Sequence, residues 1–108
     1  MTMGKGLNKH REIELRSIRL HQAVADKITL EPTIVQATKN EIQSLLSQHK
    51  ESSKYFLKWL EILDCPIDFI QKKLVEDSEE MSALRQSSPF AGILSPKERW
   101  EIYETFRT

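Results

Sequence analysis

The stretch Ile13-Glu14-Leu15-Arg16-Ser17-Ile18-Arg19-Leu20-His21-Gln22-Ala23-Val24-Ala25-Asp26-Lys27-Ile28 decides the fold class. Ile13, Ser17, Leu20, Val24 and Ile28 recur there at steps of 4, 3, 4 and 4, which traces one stripe along an α-helix. A first helix is therefore expected over roughly residues 9 to 29, after a flexible leader over residues 1–8. Downstream, Pro32 suits a first helical turn, where its missing N–H is no loss, and Ile34, Ala37, Ile42, Leu45 and Leu46 define a second apolar face ending near Gln48. Ser52 or Ser53 can cap a third helix carrying Tyr55, Phe56, Trp59, Leu60 and Leu63.

Asp64-Cys65-Pro66 stops that helix, because Pro66 pushes Cys65 out of the helical region, and Asp64 is placed to cap a fourth with Ile67, Ile70 and Leu74 on one face and Phe69 beside it. Asp77 and Glu80 have capping-box spacing before Met81 and Leu84, and the short fifth helix they start cannot pass Pro89. Residues 86–94 read as an ordered turn that pins Phe90 into the core. Ser95-Pro96-Lys97-Glu98 combines a capping Ser, Pro at the first helical position and Glu three residues after the cap. It launches a last helix with Trp100, Tyr103 and Phe106. No alternation long enough for a strand competes with these periods. The expectation is an all-α bundle of five to six short helices forming one domain over residues 9–108.

Composition bounds the function. Sixteen Lys and Arg balance 16 Asp and Glu among 108 residues, which excludes a strongly basic nucleic-acid coat and an acidic disordered tail. A 39 % hydrophobic content suffices for one core. No apolar run approaches the roughly 20 residues that span a bilayer, and Met1–His10 lacks the apolar centre of a secretory signal, so a cytoplasmic location without membrane contact is expected. Cys65 is alone, which leaves no internal disulfide and no cysteine-based zinc site. His10 and His49 have no ligand partner at helical spacing, and no glycine-rich phosphate loop exists, so no metal, cofactor or enzymatic activity is assigned.

Charge is uneven along the chain. Residues 1–30 carry six basic side chains against three acidic, and residues 61–108 carry six basic against ten acidic. The plain interpretation is solvated helix faces; the alternative is attraction between the two ends or to a partner. Arg16 and His21 have the spacing of paired residues in helical ribonucleases of the HEPN type, with Arg suited to phosphoryl charge and His to proton transfer. Five residues along a helix, however, turn them about 140° apart. Nucleic-acid regulation through the basic first helix is the other alternative, although Glu12, Glu14 and Asp26 interrupt its cations.

Tyr55, Phe56, Trp59, Trp100, Tyr103 and Phe106 exceed what two short helices are expected to conceal, and Arg99 and Arg107 flank the last three. Trp, Tyr and Arg dominate binding interfaces. Arg85 and Gln86 join Arg16 and His21 in one polar surface if helices one and five are adjacent; otherwise the Arg85 donors serve carbonyls of the turn from Ser87 to Gly92.

At Leu84-Arg85-Gln86-Ser87-Ser88-Pro89-Phe90-Ala91-Gly92, followed by Leu94, Ser95-Pro96 and Glu98-Arg99-Trp100, the chain resembles small all-helical bacterial proteins of toxin–antitoxin and mobile-element neighbourhoods. Arg16-Ser17-Ile18-Arg19-Leu20-His21, Ala23-Val24-Ala25 and Ile28 belong to the same match, which covers roughly residues 15 to 106. Some relatives carry this unit after an Xre-type helix-turn-helix domain, which is missing here. The resemblance implies an antitoxin-like inhibitor or regulatory partner of another protein, with a homodimer as one form. Arg16, His21, Arg85, Gln86, Phe90, Arg99, Trp100 and Tyr103 are the candidate partner-binding residues.

Overall fold

The computed structural model describes residues 4–48, 53–90 and 92–106, with side chains from residue 9 onward and, in the third helix, from residue 54. Six helices follow in order: α1 (Gly4–Leu30), α2 (Thr33–Gln48), α3 (Ser53–Leu63), α4 (Ile67–Leu74), α5 (Glu79–Gln86) and α6 (Pro96–Glu104). There is no strand among the described residues, as the 3.6-residue periods require. α1 is the central element and packs against α2, α4, α5 and α6, while α3 bridges α2 and α4. At 27 residues α1 is about 40 Å long, which accounts for a 47 Å longest dimension and a radius of gyration of 14.8 Å, above the roughly 13 Å of a rounder domain of this size.

α1 starts at Gly4, so residues 4–8 of the expected leader are helical, and residues 1–3 lie outside the described part. Its first half extends past the bundle: Ile13 is 49 % exposed, and the buried stripe is His21, Val24, Ala25 and Ile28. In α2 the buried row is Ile34, Thr38 and Ile42, with exposed Ala37 beside it. Thr38 tolerates burial because its hydroxyl donates to the Ile34 carbonyl at 2.8 Å. Trp59, Ile62 and Leu63 of α3, Ile70 and Leu74 of α4, and Met81 and Leu84 of α5 complete the centre with Phe90, Leu94 and Ile102.

Two local expectations are corrected. Asp64 does not cap α4, whose N-cap is Pro66; it binds Lys39 at 2.6 Å instead. Asp77 does not cap α5 either: Ser78 does, accepting from the Met81 amide, which frees Asp77 to fork onto Arg11 at 2.9 and 2.5 Å. Of the six aromatic residues singled out above, Trp59 is buried, Tyr55, Phe56 and Phe106 are partly buried against the core, Tyr103 is half-buried and Trp100 is exposed, while Ile102 is the buried residue of α6. The capping box at Ser95 and Glu98 forms in full, with Pro96 at the first helical position. Ser52, His49, Ala91 and Arg107 lie outside the described residues.

Candidate functional site

The residues between α5 and α6 lie along α1, and two α1 side chains fasten them there. His21 donates from Nδ1 to the Ser17 carbonyl one turn earlier, at 2.8 Å, since a carbonyl can only accept. Its Nε2 therefore accepts from the Ser88 hydroxyl at 2.8 Å, and Ser88 Oγ in turn accepts from the Phe90 amide at 3.2 Å. At the other end Lys27 donates to the Ile93 carbonyl at 3.2 Å and pairs with Glu98 at 2.8 Å. Lys27, followed by the Ser95 amide, holds the Glu98 carboxyl down at about 2.

His21 is 6 % exposed and lies between aromatic rings: Trp59 stacks on it at 6.4 Å and Phe90 meets it edge-on at 6.3 Å. Burial among them pushes the ring down from 6.5 to about 4; the Ser17 carbonyl opposes this and the positive charge of Arg85 adds to it. At neutral pH His21 is uncharged, with both ring nitrogens bonded.

Arg85 is 4 % exposed. Its Nη1 donates to the Leu74 carbonyl at 3.1 Å, one of the carbonyls that the C-terminal end of α4 leaves open. Of the two alternatives for Arg85, a bond to carbonyls of the turn from Ser87 to Gly92 is therefore not the one that Nη1 makes. Nε and Nη2 of the same guanidinium are buried without a hydrogen-bond partner. Burial lowers its proton affinity, while Asp77, Glu14 and Glu76 favour its charge without bonding to it.

Around these groups lies a cavity of about 240 Å³ lined by Ser17, Leu20, His21, Val24, Arg85, Gln86, Ser88, Phe90, Leu94 and Arg99. Thus α1, α5, the following turn and α6 bring His21, Arg85, Gln86, Phe90 and Arg99 together. Arg16 and Tyr103 do not line the cavity; the Arg16 guanidinium lies 5.0 Å from the centre of the Tyr103 ring. Tyr103 is one turn beyond Arg99, so this stacked pair borders the cavity. Trp100 points elsewhere on α6 and is 55 % exposed. Ser17, Ser88, Leu20, Val24 and Leu94 were not recognised as site residues in the sequence; Ser17 was detectable only as the residue four before His21.

The arrangement can hold a ligand more readily than it can move protons. Arg16 and His21 do not face each other, and neither His21 nitrogen is open. Of the basic residues on α1, Arg11 is neutralised by Asp77 and Lys27 by Glu98, which removes much of the charge that helix would bring to a phosphate backbone. No group of three or more His, Cys, Asp or Glu that could hold a metal occurs among the described residues, and no helix there is long and apolar enough to cross a membrane. Cys65 is half-buried, with its thiol on the Glu61 carbonyl at 3.4 Å. Compared with protein families, with curated proteins and with solved structures, the chain finds no match.

Proposed function

We propose that the chain is a non-enzymatic protein-binding module, acting in a bacterial cytoplasm as an antitoxin-like inhibitor or regulatory partner of another protein. The observation that carries this reading is the 55 % exposure of Trp100 on the helix that also brings Arg99 to the cavity. Trp and Arg are the side chains that most often dominate binding energy, and an indole in water gains more than most groups from being covered. Arg16 stacked on Tyr103 extends the same helix pair with a preformed cation and ring. A second copy of the chain is one occupant of this surface.

The test compares Trp100→Ala and Arg99→Ala with the parent chain in affinity capture of the protein encoded beside it, with circular dichroism as a control. Both variants are expected to keep the helical spectrum, since neither residue is buried, and to weaken capture by about tenfold or more, the effect of losing a residue worth about 1.4 kcal/mol. Undiminished capture by both variants refutes the assignment of this face. Sedimentation equilibrium of the same proteins tests the homodimer: a parent dimer that Trp100→Ala dissociates supports it, and a monomer at all concentrations removes it.

A further inference from the structure

A partly desolvated cation is costly unless an opposite charge or several acceptors meet it. The half-buried lysines obey that rule: Lys27 pairs with Glu98, Lys39 with Asp64, Lys58 with Glu80 and Lys73 with Glu76. The arginines around the cavity between α1, α5 and α6 do not. Half-buried Arg99 on its wall has no hydrogen-bond or ion-pair partner among the described residues. Half-buried Arg16 at its border has only the Tyr103 ring, and buried Arg85 only the Leu74 carbonyl. No Asp or Glu lines the cavity. We propose that the mouth of this cavity is a phosphate-monoester site, in which Arg99, the Ser17 hydroxyl and the Gln86 amide hold the phosphoryl oxygens.

Exposure decides which wall residues can touch a ligand. His21, Val24, Arg85, Phe90 and Leu94 are at most 7 % exposed, which leaves Ser17, Leu20, Gln86, Ser88 and Arg99 at the mouth. The Ser88 hydroxyl is spent on His21. The Ser17 hydroxyl and the Gln86 amide, like Arg99, have no partner among the described residues, so α1, α5 and α6 each contribute an open donor to one opening. Donors from three sides suit the three terminal oxygens of a phosphoryl group better than the two coplanar oxygens of a carboxylate. Charge points the same way. A monoester carries close to two negative charges at neutral pH, whereas a carboxylate or a phosphodiester brings one. Arg85 acts here through space alone, and its field reaches the cavity wall, since it depresses the proton affinity of His21. At about 30 Å³ per water, a cavity of about 240 Å³ has room for a phosphoryl group with water around it. The inference goes beyond the protein-binding role proposed above, and rests on it only where the phosphate is carried by a side chain of the partner.

The probes are methyl phosphate and N-acetyl-phosphoserine amide, with acetate and dimethyl phosphate as singly charged controls. Each is titrated at low salt into the full chain and followed by calorimetry and by shifts in the nitrogen–proton spectrum. At least one monoester is expected to bind with a dissociation constant on the order of 1 mM, and both controls at least about tenfold more weakly. Arg99→Gln is expected to weaken that binding about tenfold or more, and Ser17→Ala and Gln86→Ala several-fold each. Arg19→Gln removes an exposed α1 cation that does not line the cavity, and is expected to leave binding unchanged. Tighter binding of the phosphoserine assigns the site to a modified side chain of a partner; equal or weaker binding assigns it to a small free phosphate. A control as tight as the monoester, a loss in Arg19→Gln as large as in Arg99→Gln, or no monoester bound at about 10 mM overturns the proposal. No partner protein enters this experiment, so a cavity that rejects both monoesters leaves protein capture through Trp100 standing, and failed capture leaves the titration intact.

Discussion

Lowering the pH into the range where His21 resists protonation separates its structural role from that of an ordinary surface histidine. The folded ring titrates at about 4 against 6.5 for an unperturbed one, because burial under Trp59 and Phe90 disfavours its charge and Arg85 repels it. The unfolded chain binds this proton between those values and the folded chain refuses it. Stability therefore falls as pH drops from 6.5 toward 4, is complete above that window, and loses nothing more at this residue below it. The total is roughly 3 kcal/mol, of which about 2 kcal/mol is gone by pH 5. Urea unfolding of the parent chain and of His21→Gln at about pH 7 and about pH 5 isolates the effect, since every other titratable group is common to the two proteins and cancels in the difference. The parent is expected to lose about 2 kcal/mol more than the variant over this step. A proton spectrum of the imidazole gives a second readout, with a midpoint near 4. Parallel losses in the two proteins, or an imidazole midpoint near 6.5, refute the buried, neutral clamp.

Trp59 is fully buried and donates its indole N–H to the Leu84 carbonyl at 3.0 Å, so Trp59→Phe is expected to cost about 1–3 kcal/mol in urea unfolding. Ser95→Ala removes half of the α6 capping box and is expected to cost about 1 kcal/mol by the same measurement; no change would show that Pro96 alone fixes the start of α6. Lys27→Met should raise the Glu98 carboxyl from about 2 toward the usual carboxylate range, read from its side-chain carbon resonance, because Lys27 is the main cause of the depression. Arg11 and Asp77 form a fork but are half in water, so a double-mutant cycle should give a small coupling that shrinks further with salt.

The helices were legible because their signals are local. The stripe ending at Val24 and Ile28, the break at Pro66 and the Ser95-Pro96-Lys97-Glu98 start each depend on residues within one or two turns. Where a local signal misled, long-range pairing was the missing part. Asp77 has the spacing of a cap for α5, but Ser78 holds that place and Asp77 pairs with Arg11, 66 residues away in sequence. The cavity was legible only in part for the same reason. Arg85 beside a Ser-Ser-Pro-Phe turn marks a special position, but its bond to Leu74 depends on where α4 ends in space. His21 lies three and four residues before Val24 and Ala25 and seven before Ile28, the positions of a buried stripe, so its burial could have been read from spacing alone. What spacing could not supply is Ser88, which arrives from across the fold to occupy its second nitrogen. That bond decides the chemistry of the site: with His21 neutral and fully bonded, Arg99, Ser17 and Gln86 are left as the groups at the cavity whose donors the fold itself does not use.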